Sequence, residues 1–186
     1  MDIEQILEES RAILKGHFLL SSGLHSDTYF QMALVFQNPK YGEICSRMLA
    51  EKLKDFCFSA VIGPAIGGIL LSYELGRILG IRSMFAERES GVMSLRRGFS
   101  LRENEPVLIC EDVITTGGSV KEVIELVKQQ EAVPKAIACL VQRGETNLDL
   151  PLFSLFQVRV HQYKVQECPL CQQNIPVTKP GSRELR

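Results

Sequence analysis

The stretch Val107-Leu108-Ile109-Cys110-Glu111-Asp112-Val113-Ile114-Thr115-Thr116-Gly117-Gly118-Ser119 restricts the fold of this chain more than any other. An apolar run passes through two acids into a Thr/Gly/Ser turn, and an amphipathic helix follows. A strand that empties into a helix N-terminus gathers backbone N–H groups and the positive end of the helix dipole at one point, a natural anion site. Thr115, Thr116 and Ser119 add hydroxyl donors, while Gly117 and Gly118 let the backbone approach an anion with no Cβ in the way. Two carboxylates beside such a cradle would repel a phosphate unless they serve hydroxyls or a metal. A sugar phosphate satisfies both halves, with phosphate in the turn and ribose hydroxyls on Glu111 and Asp112. The plain alternative, a strand–helix junction whose Thr and Ser only cap the helix, leaves the paired acids unexplained.

The same strand-to-helix alternation runs through the chain. Helical spacing of Ile3, Ile6, Leu7, Ala12 and Leu14 predicts a first helix over 2–14, stopped by Lys15-Gly16. Residues 17–31 read as extended and are broken at Ser21-Ser22-Gly23. Asn38 and Pro39 are a cap and first turn for a helix to about Lys54. Ala60–Gly63 reads as a buried strand, 64–68 as a turn, and the following residues to Leu79 as a helix. Further strands are expected over 82–87, 95–101, 107–111, 135–142 and 153–160, with a polar loop over 89–93 and a helix over 119–130. This order predicts an α/β fold with a mainly parallel central sheet flanked by helices. Ligands of such sheets sit beyond the carboxyl ends of the strands, where 63–68, 111–119 and 143–145 all fall. Gly63-Pro64-Ala65-Ile66-Gly67-Gly68 is a second glycine-rich turn, suited either to a further anion such as a diphosphate or to close helix–sheet packing. No internal repeat interrupts the pattern, so a single domain over 1–186 is expected, with 172–186 as an arm.

A formal net charge of −1 argues against a general nucleic-acid binder. No run approaches the roughly 18 apolar residues of a membrane span. The acidic, amphipathic N-terminus does not resemble a secretory leader, so a soluble cytoplasmic protein is expected. Cys45, Cys57, Cys110 and Cys139 lie in or beside apolar or helical stretches and are expected to be buried, reduced thiols. Cys168 and Cys171 form a CxxC pair, half of a tetrahedral zinc site, with no second CxxC or nearby His pair. His161, a half-site from a second copy, free thiols or a disulfide are the ways to complete or replace it.

The run 107–119 closely resembles the PRPP (5-phosphoribosyl-1-diphosphate) signature of type I phosphoribosyltransferases: apolar residues, two acids, an apolar pair, then Thr-Thr-Gly-Gly-Ser. Phe18–Gly23 with Ser26-Asp27-Thr28-Tyr29-Phe30, and Val141-Gln142-Arg143-Gly144-Glu145, resemble segments of the orotate phosphoribosyltransferases. The resemblance spans about 13–144, and the Cys-containing tail over about 165–186 is similar to that of some bacterial members. It implies the type I phosphoribosyltransferase-like fold with a small N-terminal hood over about 1–35. It also implies transfer of phosphoribosyl from PRPP to orotate, giving orotidine 5′-monophosphate and diphosphate, with Mg²⁺ on the diphosphate.

By that resemblance Glu111, Asp112, Val113, Ile114, Thr115, Thr116, Gly117, Gly118 and Ser119 bind PRPP, and Gly67 and Gly68 belong to the pyrophosphate loop. Thr115 and Arg143 contact orotate, whose carboxylate suits a planar guanidinium. Glu111, Asp112 and Arg88 carry catalysis, Arg88 as the basic residue entering the mobile loop. A homodimer is implied too, because that loop reaches the partner's site in family members. The chain departs from the pattern in two places. The pyrophosphate loop has Gly67 where many members carry a Lys at or beside that position, and 88–93 holds no Lys or His. Arg96 and Arg97 either supply charge to the leaving diphosphate or belong to a solvated strand. Two rival readings remain: a transferase for another base such as a purine, and a PRPP-sensing regulator without turnover.

Overall fold

The computed structural model describes residues 1–20 and 22–180. The central sheet has six strands in the order β5-β4-β3-β6-β7-β8: β3 (Ala60–Pro64), β4 (Arg82–Glu89), β5 (Val92–Leu95), β6 (Pro106–Ile114), β7 (Val133–Arg143) and β8 (Leu152–Val158). All neighbouring pairs are parallel except the β4–β5 hairpin. Side chains alternate across each inner strand and divide the core in two. Val61, Leu108, Cys110, Ala136 and Ala138 face α1 (Ile3–Glu9), α3 (Pro39–Lys52) and α4 (Gly67–Leu79). Ala60, Ile62, Val107, Ile109 and Ile137 face α5 (Gly118–Gln129). Burial on both faces is why these strands read as unbroken apolar runs. No helix among the described residues is long and apolar enough to cross a membrane.

A second, three-stranded antiparallel sheet joins β1 (Ile13–Leu19), β2 (His25–Phe30) and β9 (Gln162–Tyr163). A short helix α2 (Ala33–Phe36) follows β2, and α6 (Pro169–Gln172) follows a 3₁₀ turn at Val165–Glu167. The register of β1 against β2 slips between Lys15 and Phe18. That bulge breaks the strict alternation, so the adjacent residues His17 and Phe18 are both buried.

Several expectations need correction. The first helix ends at Glu9, not near Leu14, because Arg11 turns left-handed (φ 53°) and Ile13 already pairs with Phe30. Cross-strand pairing outweighs the helical spacing there. The polar loop over 89–93 is a tight hairpin: Ser90 and Gly91 both have positive φ, as a type I′ turn requires, and Glu89 pairs with Val92. The returning strand is therefore 92–95, not 95–101. Cys45, Cys110 and Cys139 are buried, and burial pushes the Cys45 thiol up to about 12, but Cys57 is exposed. The segment expected as an arm is exposed over 172–179 but is tied by backbone bonds to β1. Thr178 N–H donates to the His17 carbonyl at 2.8 Å, and Leu19 N–H donates to the Thr178 carbonyl at 2.9 Å. Residues 181–186 lie outside the described part of the chain.

Candidate active site

In the strand order, the chain runs outward in one direction from β3 through β4 to β5, and in the other from β6 through β7 to β8. The reversal falls between β3 and β6, the place where open α/β sheets bind ligands. A cleft of about 410 Å³ opens there, lined by Gly67, Glu111, Asp112, Val113, Thr115, Thr116, Ser119 and Arg143 from the sheet side. Leu19, Leu20, Ser22, Tyr29 and Phe30 line it from the hood, and Lys179 and Pro180 from the C-terminal segment.

The turn after β6 delivers three kinds of group. Gly117 takes a left-handed conformation (φ 76°, ψ 11°) that starts α5, and no side chain caps that helix. Thr115, Thr116 and Ser119, at the start of that helix, line the cleft. The Asp112 carboxylate accepts from the Val113 N–H at 2.7 Å. Burial raises the Asp112 pKa above the ordinary carboxylate value, against the pull of that N–H and of a hydrogen bond with Glu111. Tyr29 is near enough to Asp112 and Arg143 to sense both. Burial and then the Asp112 charge raise its phenol, while Arg143 lowers it.

The two glycines of the β3–α4 turn have different surroundings. Gly68 packs: a Cβ there would lie 2.9 Å from Gly63 Cα, and one on Gly63 would lie 2.3 Å from the Gly68 carbonyl oxygen. Gly67 faces the cleft, where a Cβ would lie 2.5 Å from Asp112 Oδ1. A side chain at position 67 would have to displace this aspartate. Gly67→Ala is expected to displace the Asp112 carboxylate and lower catalytic efficiency on the order of 100-fold, the effect of losing one oriented polar group. Steady-state kinetics checks this, with a melting curve to establish that the variant folds.

Arg143 ends β7 and is buried, with 4% of its surface exposed. Its Nη2 donates to Ser26 Oγ at 3.0 Å and to the Thr28 carbonyl at 3.3 Å, and its guanidinium lies 5.7 Å from the Phe30 ring centre. Its Nε–H has no hydrogen-bond partner among the described residues, and none of their carboxylates forms a salt bridge with it. Burial lowers its pKa, although Tyr29 and Asp27 oppose the shift. An arginine stays charged regardless. The cleft therefore contains a desolvated cation with a spare donor and, among the described residues, no salt-bridged carboxylate.

Not every expected residue comes together here. Arg88, expected at the chemistry, donates to Glu122 of α5 at 2.7 Å and does not line the cleft. Ile114 is buried in the core, while Gly68, Gly117 and Gly118 shape the backbone without lining the cleft. Arg96 pairs with Glu89 at 3.1 Å and Arg97 with Glu87 at 3.0 Å, both on the β4–β5 hairpin. Lys179, absent from the expectations, supplies a cation instead. Only its place three residues beyond Pro176, in a segment read as an arm, hid it.

The sequence pattern of the phosphoribosyl transferase domain matches residues 33–170. This chain belongs to the phosphoribosyltransferase family. It is 53% identical, over 97% of its length and 96% of the relative's, to the orotate phosphoribosyltransferase of Caldanaerobacter subterraneus subsp. tengcongensis. To that of Thermotoga maritima it is 48% identical, over 99% and 100%. The crystal structure of orotate phosphoribosyltransferase from Aeropyrum pernix superposes with a TM-score of 0.73 at 26% identity, covering 84% of this chain and 93% of that one. The adenine phosphoribosyltransferase of Thermoanaerobacter pseudethanolicus superposes with a TM-score of 0.63 at 17% identity, covering 70% and 88%. The phosphoribosyltransferase fold is thus common to enzymes for different bases, and the choice of base must rest on the cleft.

Proposed function

We propose that this phosphoribosyltransferase transfers phosphoribosyl from PRPP to orotate, forming orotidine 5′-monophosphate and diphosphate on the route to UMP. The observation that carries the choice of base is Arg143, a buried guanidinium that has, among the described residues, an unpaired Nε–H and no salt-bridged carboxylate. Burying an uncompensated charge is costly, and an anionic ligand removes the cost. Orotate brings a carboxylate; adenine and hypoxanthine bring none. Relatives about half identical over nearly their whole length, which bear the orotate enzyme's name, support the same choice.

The residues divide the work. The uncapped start of α5, with Thr115, Thr116 and Ser119, holds the 5′-phosphate of PRPP. Glu111 and Asp112 hold the ribose hydroxyls, and their charge stabilises positive charge developing at C1 as the diphosphate departs. The Gly67 turn admits the diphosphate beside Asp112, and Lys179 adds positive charge to the same cleft. Arg143 and Thr115 hold orotate so that its ring nitrogen faces C1. Positioning and fixed charge do most of this work, since the protein itself forms no covalent bond. The oxygen-rich donor set of Glu111, Asp112 and the turn hydroxyls suits Mg²⁺, which when bound neutralises diphosphate charge.

Ile66, Leu70 and Tyr73 form an exposed apolar strip along the start of α4, next to the cleft, at 69%, 50% and 62% exposure. That strip supports the homodimer implied by family resemblance, and the enzyme is placed in the cytoplasm with small-molecule substrates. The function is tested by following orotate absorbance with PRPP and Mg²⁺ present. Loss of orotate that requires both is expected. No loss of orotate, with turnover of a purine instead, overturns the choice of base.

A further inference from the structure

His17 and His25 of the hood hairpin and Cys168 and Cys171 of the C-terminal segment bring four ligand atoms within 4.8 Å of one another. None of the four lines the cleft. We propose that these side chains bind a structural Zn²⁺ ion that fastens the C-terminal segment to the β1–β2 hairpin.

The geometry is close to what the ion needs. Tetrahedral zinc, with bonds of about 2.05 Å to nitrogen and about 2.3 Å to sulfur, spaces its ligands about 3.4 Å apart for N···N and about 3.6 Å for N···S. Cys168 Sγ lies 3.5 Å from His17 Nε2, and Cys171 Sγ lies 3.7 Å from the same nitrogen and 3.3 Å from His25 Nδ1. The two imidazole nitrogens are 2.8 Å apart and need to part by about half an ångström to admit the ion. His17 is already oriented. Its Nδ1–H donates to the Ile175 carbonyl at 2.7 Å, which leaves the Nε2 lone pair facing the other ligands. His161, one of the alternatives for completing the CxxC pair, is outside the group and stacks on Tyr163.

Two thiolates and two imidazoles with no open position make a structural site of the zinc type. His17, His25 and Cys168 are buried, and Cys171 partly so.

The segment has little else to order it. β9 is two residues long and α6 has no buried residue. Val165, Ile175 and Val177 remain 49%, 39% and 47% exposed. So little apolar burial does not offset the entropy of ordering a chain, and a metal cross-link is the usual remedy. The segment leads directly to Thr178, paired with β1, and to Lys179 in the cleft. The ion would therefore hold both the hood and this lysine in place.

Elemental analysis of untagged protein, purified reduced, is expected to find one zinc ion per chain. Co²⁺ added to metal-stripped, reduced protein is expected to give the intense visible bands of tetrahedral cobalt and a thiolate charge-transfer band. Cys171→Ser should lose both metals, and Cys57→Ser, at an exposed thiol outside the group, should keep them. Chelation should lower the melting temperature, with recovery on adding Zn²⁺ but not Mg²⁺. If Cys171→Ser does not fold, the wild-type cobalt spectrum decides. Reduced wild-type protein that binds neither zinc nor cobalt, or gives only an octahedral cobalt spectrum, overturns the site. None of these readouts needs turnover, so the result is independent of the choice of base.

Discussion

Arg143→Met is expected to lower kcat/KM for orotate by about 30-fold to several thousand-fold, the effect of about 2–5 kcal/mol for truncating one partner of a buried charge pair. Methionine keeps much of the volume beside Phe30 but removes the charge and the donors. The loss should fall on orotate: PRPP binding, measured by calorimetry without the base, should change little. Arg143→Lys should recover only part of the activity, because an ammonium keeps the charge but lacks the planar fork. Stability gives a second reading. The wild-type guanidinium is buried without a salt-bridged carboxylate among the described residues, so the methionine variant should unfold at a similar or higher denaturant concentration despite losing bonds to Ser26 and Thr28. A variant that is unstable and weakened equally toward PRPP and orotate would show Arg143 to be a hood fastener alone.

Asp112→Asn should trade activity for stability. Asparagine keeps an oxygen to accept the Val113 N–H but removes the negative charge, so catalytic efficiency should fall by about 100- to 1,000-fold. Stability should rise by about 1–2 kcal/mol at neutral pH, because burial desolvates the carboxylate. The sign follows from the raised pKa. A carboxyl with a raised folded-state pKa binds its proton more tightly folded than unfolded, so wild-type stability falls as pH rises through that interval. The advantage of the asparagine should therefore shrink in acid below the unfolded carboxylate pKa and be complete above the folded one. Urea unfolding of both proteins across pH checks this. An asparagine variant that is less stable at neutral pH would contradict a desolvated, charged Asp112.

The turn after β6, proposed to hold the phosphate, was legible as a candidate site because its chemistry is local. Strand, acids, hydroxyls and glycines lie within 107–119, and each residue type has its own reason to be there. The core strands were legible because burial on both faces leaves apolar runs. What was hidden depended on contacts distant in sequence. His17 and Cys168 are 151 residues apart, and only the β1 bulge and the turn at Pro169 bring them together. Lys179 reaches the cleft through the pairing of Thr178 with β1, which no local pattern announces. Ser90-Gly91 is a hairpin turn signal, but the expected mobile loop obscured it and placed Arg88 at the chemistry rather than on Glu122. Gly67 and Gly68 look alike in the sequence, and only the positions of Asp112 and Gly63 distinguish their duties.

The most direct measurement is a competition for PRPP among orotate, uracil and adenine in one reaction, with the nucleotide products separated and quantified. If Arg143 reads a carboxylate, orotidine 5′-monophosphate should dominate by a factor of a hundred or more over the uracil product, since uracil is the same ring without that group. No adenine nucleotide should form. Comparable turnover of uracil, or preference for adenine, would contradict a cleft built around an anionic pyrimidine.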